Sequence, residues 1–210
     1  MICQRFVECL QNLKTEYKRA DEKTRKNIGK KEKPKSNGQA QKGEWIYVGY
    51  PCKDDVFIKK CVEYFDGRSK PKCAENGKSY VLSKGGYSFN VLCMHIDGGV
   101  IDDNTCDKCD YALFLQDGVE ESKGRAIYIE LKGKNTEHAI DQLISTIDKF
   151  KDAGGLYKRV YARIVNASSP PRIQNTESYI DLQEKVMELG GNLKTREMEF
   201  VEEYSALDSV

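Results

Sequence analysis

The chain has 210 residues, 39% hydrophobic and 32% charged, enough for one domain with a sizeable core and a well-solvated surface. No apolar run approaches the length of a bilayer span, and the first eight residues mix charge into their apolar positions, so neither a membrane protein nor a secretory signal is expected and the predicted location is cytoplasmic. The net charge of +1 conceals ten Lys/Arg against three acids at 18–42 and an acidic final fifteen residues, so the distribution carries more information than the sum.

In chain order, Phe6, Val7, Leu10, Leu13 and Tyr17 recur at helical spacing and predict an N-terminal helix over 1–20. Residues 21–43 are rich in Lys, Gly, Asn and Gln with almost no apolar content, the composition of a basic mobile linker or loop. The remainder, 44–210, reads as one domain. Trp45 to Tyr50 has strand character. Asp54 is placed to cap a helix running through Val56, Phe57, Cys61 and Tyr64 to Gly67, and a loop follows over 68–79. Strands are expected at Tyr80–Leu82 and Tyr87–His95, and then, after the Gly98-Gly99 turn, at Val100-Ile101.

Two further strands follow, in the runs Lys108–Leu115 and Ala126–Gly133, joined by a polar, glycine-containing connection suited to a hairpin. The pattern then switches to helical spacing at Ala139, Ile140, Leu143, Ile144, Ile147 and Phe150. A β-branched strand at Val160–Val165, a helix at Leu182–Leu189 closed by Gly190-Gly191, and an edge strand over Leu193–Phe200 complete the order. Alternation of this kind indicates an α/β fold with a central mixed β-sheet flanked by helices.

Chemistry concentrates where charges interrupt the two apolar strands. Asp110 opens the first, and the second ends Glu130-Leu131-Lys132. Side chains two apart on a strand share a face, so Glu130 and Lys132 project together with the Leu131 carbonyl between them. Two carboxylates and a carbonyl suit a hard cation such as Mg²⁺ or Mn²⁺, which takes oxygen ligands and keeps several waters. A lysine beside such a site can orient an attacking water, lower its pKa or stabilise a pentavalent transition state.

Over roughly residues 87–166 this arrangement resembles the core of the PD-(D/E)XK nuclease superfamily, the restriction-endonuclease-like fold. Asp110 matches the first acid of its motif, Glu130 the second and Lys132 the lysine, while the proline before the first acid is Cys109 here. The resemblance implies a metal-dependent endonuclease with Asp110, Glu130 and the Leu131 carbonyl as metal ligands. Lys132 and Gln142 join Asp110 and Glu130 as its catalytic residues. Gln142 lies on the following helix, and His138 shares its face one turn earlier. A further acid from an N-terminal helix often completes the site in this family, with Glu8, Glu16 and Glu63 as candidates. Nucleic acid is the implied partner, DNA first and RNA an open variant, contacted by Lys23, Arg25, Lys26, Lys30, Lys31, Lys33, Lys134 and His138. Restriction, repair and anti-phage defence are the implied settings, and cutting both strands of a duplex would call for a homodimer or a larger assembly.

Two other readings stay open. One is a nuclease-fold subunit that binds nucleic acid or assembles without catalysis. The other is a zinc-stabilised interaction domain, since Cys106-x-x-Cys109 abuts Asp110 with Cys52, Cys61, Cys73 and His95 elsewhere. No second Cys-x-x-Cys exists to complete four zinc ligands, so reduced, mostly buried thiols are expected. His95 reads as a structural histidine.

Overall fold

The computed structural model describes residues 31–32, 46–47, 61–101, 104–116, 124–133, 135–152, 159–167 and 173–209. The strands are β1 (Lys31–Glu32), β2 (Ile46–Tyr47), β3 (Val62–Asp66), β4 (Lys72–Glu75), β5 (Lys78–Ser83), β6 (Asn90–His95), β7 (Tyr111–Gln116), β8 (Arg125–Lys132), β9 (Arg159–Asn166), β10 (Leu193–Glu197) and β11 (Glu199–Glu203). The helices are α1 (Thr136–Asp152) and α2 (Glu177–Glu188). The expected N-terminal helix over 1–20 lies outside the described residues. The strand β1, within the stretch expected to be a linker, pairs antiparallel with β2, within the expected strand Trp45–Tyr50.

Six strands form a mixed sheet in the order β10-β9-β8-β7-β6-β3. The β8, β9 and β10 strands run parallel, as a connection through helices requires, while β3, β6, β7 and β8 alternate in direction. Its central strands are buried on both faces, and the period of two sorts their side chains into two cores. Leu92, Ala112, Phe114, Ala126, Tyr128, Val160 and Ala162 face α1 and α2. Val91, Leu113, Leu115, Ile127, Ile129, Tyr161 and Val165 face Tyr80, Leu82 and Phe200 of a second, three-stranded sheet ordered β11-β5-β4. The α/β class with a mixed sheet therefore holds. Among the described residues both helices cover one face of the six-stranded sheet, and the second sheet covers the other.

Local chemistry explains most boundaries. The Asn135 side chain accepts the His138 N–H (3.2 Å) and caps α1, with Glu137 in the first turn and Lys149 and Lys151 in the last to complement the helix dipole. Tyr179, Leu182 and Val186 give α2 its buried stripe. It ends in a Schellman motif: Gly190, at φ 72°, donates its N–H to Met187 O (2.9 Å), and Gly191 donates to Val186 O (2.9 Å).

Three expectations fail in instructive places. Val62–Asp66, expected to end a helix, is the edge strand β3, because pairing with β6 outweighs the local helical spacing. The expected loop over 68–79 contains the β4–β5 hairpin, closed at Asn76-Gly77, both with positive φ as a type I′ turn demands. The single edge strand expected over Leu193–Phe200 is two strands in different sheets. Met198, at φ 52°, breaks it, donating to Asn166 O (2.8 Å) and accepting from the Ser79 N–H (2.9 Å), so one residue links both sheets.

A charged network is sealed between the sheets. Arg163, fully buried on β9, makes a two-pronged pair with Glu202 (2.7 and 3.0 Å) and donates to the Ala162 and Asn192 carbonyls. Glu202 also accepts from Tyr80 Oη (2.8 Å) and Lys194 Nζ (3.0 Å). The buried carboxylate and guanidinium thus find the hydrogen bonds their burial demands.

Candidate metal and phosphodiester site

The β7–β8 register pairs Tyr111 with Ile129, which sets Asp110 and Glu130 opposite one another one step further on. Glu130, two positions on from Tyr128 along β8, faces the helix side, where α1 begins shortly after β8, and Asp110 stands immediately before β7. The Asp110 N–H donates to Glu130 Oε2 (3.2 Å), and the Leu131 N–H donates to Asp110 Oδ2 (2.7 Å). Lys132 Nζ lies 3.4 Å from Glu130 Oε1 and donates to Gln142 Oε1 (2.5 Å). At its other end the Gln142 amide donates to the Lys108 carbonyl (2.8 Å). Asp110, Glu130, Leu131, Lys132 and Gln142 are thus brought together, from two strands and the helix that follows them.

The electrostatics follow from burial. Glu130 is 1% exposed. Loss of water pushes its carboxyl up to about 8, with repulsion from Asp110 adding to the rise and Lys132 opposing it. Asp110 rises to about 6, first through burial; the Leu131 N–H and Lys132 lower it, while Glu75 and Asp97 raise it further. Both carboxyls are lifted above their ordinary range because their negative charge is under-compensated. That same deficit favours a cation held by oxygen ligands, and the Leu131 peptide edge lies beside both carboxylates. The donor set fits Mg²⁺ or Mn²⁺, which needs few protein ligands.

Other expected residues are placed differently. His138 Nδ1 lies 3.8 Å from Asp107 Oδ1, at the mouth of the segment leading to Asp110. Glu63, one candidate for an extra acid, instead contacts His95 Nε2 (2.8 Å), whose ring lies tilted against Tyr111. Glu8, Glu16, Lys23, Arg25, Lys26, Lys30, Lys33, Lys134 and Cys52 lie outside the described residues, and of Lys31 only the backbone is described. Among the described residues no disulfide involves Cys61, Cys73, Cys93, Cys106 or Cys109. Cys109 is buried and donates to the Tyr111 carbonyl (3.4 Å). Among the described residues no three His, Cys, Asp or Glu side chains converge as a ligand group.

Several neighbours escaped sequence reasoning. Glu75 acts on Asp110 from the β4–β5 hairpin, and only the tertiary fold brings it there. Lys108, nearly buried, pairs with Asp97 (3.2 Å). Thr146 is fully buried and accepts the Cys109 N–H (2.9 Å). Its position one turn after Gln142 was the available signal.

Comparison with protein-family models, curated proteins and solved structures finds no match to this chain. Among the described residues no helix is long and apolar enough to cross a membrane.

Proposed function

We propose that this protein is a metal-dependent endonuclease of the PD-(D/E)XK type that hydrolyses phosphodiester bonds of nucleic acid, DNA first. The observation that supports it most is the coincidence of three charges at one sheet end. Asp110 and Glu130 interlock across β7 and β8, and Lys132 is held between Glu130 and Gln142.

Asp110, Glu130 and the Leu131 carbonyl would hold Mg²⁺ or Mn²⁺. When bound, the ion supplies Lewis acidity toward a phosphoryl oxygen and a more acidic water. The chain's own residues do the rest. Lys132, anchored at both of its contacts, presents a fixed positive charge where negative charge builds on the phosphate as water adds and the ester bond breaks. Gln142 is occupied at both ends of its amide, so its part is to aim Lys132 and tie the helix to the Lys108 carbonyl. The buried floor beneath Glu130 excludes water and strengthens each of these interactions. The basic stretch from Lys23 to Lys33, with Lys134 and His138, supplies sequence-independent phosphate affinity. Restriction, repair or defence are settings that suit such an activity, and a duplex cut would need a second copy or a partner.

The test is cleavage of labelled single- and double-stranded DNA and RNA in Mg²⁺, Mn²⁺ or EDTA, by wild type, Glu130→Ala and Lys132→Ala, each checked for folding. Metal-dependent cutting lost in both variants supports the reading and identifies the substrate. Binding without cutting under every condition points instead to a nuclease-fold binding subunit.

A further inference from the structure

The 107–109 segment that delivers Asp110 precedes β7, and the last ladder bond on this side is the one the Asp110 carbonyl accepts from the Ile96 N–H (2.9 Å). Side chains of α1 take the ladder's place. Ser145 Oγ donates to the Asp107 carbonyl (2.7 Å), Gln142 Nε2 donates to the Lys108 carbonyl (2.8 Å), and the Cys109 N–H donates to Thr146 Oγ1 (2.9 Å). The Thr146 hydroxyl also donates its proton to the Gln142 carbonyl (2.8 Å). With that proton committed, the buried hydroxyl can serve Cys109 only as an acceptor, which fixes the direction of the bond. The next residue is Asp110, whose N–H and carboxylate engage Glu130 and Leu131.

We infer that Thr146, assisted by Ser145, is a positioning residue: it fixes the 107–109 segment against α1 and thereby holds the Asp110 carboxylate across from Glu130. Its significance for catalysis rests on the metal-dependent reading above; the positioning itself does not. Thr146 touches neither carboxylate and acts through the backbone at Cys109. An isosteric valine would strand that buried N–H without opening a cavity.

The measurement is residue-resolved amide hydrogen exchange on the metal-free full chain, comparing wild type with Thr146→Val and Thr146→Ser. The diagnostic amide is Leu131, whose acceptor is the Asp110 carboxylate. In Thr146→Val, exchange at Cys109 and Leu131 is expected to quicken by about tenfold or more, while Ile127 and Tyr128 keep their protection. Thr146→Ser should match wild type. Unchanged protection at Leu131, or a loss spread evenly along β8, would overturn the inference. Should the valine variant not fold, Ser145→Ala, which removes only the outer link, must show the same local pattern, or the inference fails. Calorimetric Mn²⁺ titration is the second readout, with affinity expected to fall about tenfold in Thr146→Val and recover in Thr146→Ser. If wild type neither binds Mn²⁺ nor cleaves, the nuclease reading fails, and the exchange result still decides the positioning role.

Discussion

Asp110 and Glu130 interlock: the Asp110 N–H is bound by the Glu130 carboxylate (3.2 Å), and the Asp110 carboxylate is bound by the N–H of Leu131, next to Glu130 (2.7 Å). Each carboxylate is thus oriented by the other's strand. Neither can rotate without giving up a hydrogen bond in a buried setting, so the pair is preorganised before any ion or substrate arrives.

The first prediction concerns pH in the metal-free protein. Asp110 and Glu130 rise from 3.8 and 4.5 to about 6 and about 8 on folding. The folded state therefore binds more protons than the unfolded chain across those windows, so stability falls as pH rises. The contribution is fully present below about pH 4, then lost through about 6 for Asp110 and about 8 for Glu130. Glu130→Gln should flatten this dependence and melt higher than wild type near pH 8, while abolishing cleavage. Thermal unfolding in EDTA across that range checks it; a wild-type melting temperature that rises from about pH 5 to about pH 8 would contradict it.

Lys132 and Gln142 should separate in magnitude. On the proposed nuclease reading, Lys132→Ala removes the charge set against the scissile phosphate and should lower the cleavage rate about 10²–10³-fold. Gln142→Leu removes the group that aims Lys132 together with its bond to the Lys108 carbonyl, and should cost about 10–100-fold. Single-turnover cleavage resolves the two. Equal losses would mean that Gln142 itself contacts substrate.

The buried network between the sheets should dominate stability. Glu202→Ala strands the buried Arg163 guanidinium and is expected to cost about 3–5 kcal/mol. Glu202→Gln retains part of the hydrogen bonding and should cost less. Urea unfolding measures both, and near-wild-type midpoints for the alanine variant would show that the sheets pack independently of this pair.

A tight approach at Gly191 makes a fourth test. A Cβ there would meet the Val160 carbonyl oxygen at 2.0 Å, backbone that the β9 pairing holds in place. Gly191→Ala should destabilise by about 1–3 kcal/mol. Differential scanning calorimetry checks this, and an unchanged melting temperature would show that the α2–β10 connection can shift.

Much of the fold around the site was legible in the sequence. The strands β7, β8 and β9 carry dense β-branched and aromatic residues, and α1 declares its helical period from Ala139 to Phe150. The shared face of Glu130 and Lys132 follows from strand geometry alone. The β4–β5 hairpin was also present in principle, in Asn76-Gly77, but short polar strands around it resemble a loop. The β3 strand was hidden because its helical spacing is real and only pairing with β6 overrides it.

By itself, then, the sequence determined the local periods, the order of the central elements, and which residue types stand at the ends of β7 and β8. Those features depend on neighbours a few positions away, and side-chain patterning records them directly. Only the tertiary structure decided that Met198 passes the chain from one sheet to another, that Glu75 overlooks Asp110, and that Thr146 secures the segment before it. It also decided how far burial lifts the two carboxyls. Register, burial and electrostatic coupling depend on groups distant in sequence, and no local pattern encodes the distance between them once folded.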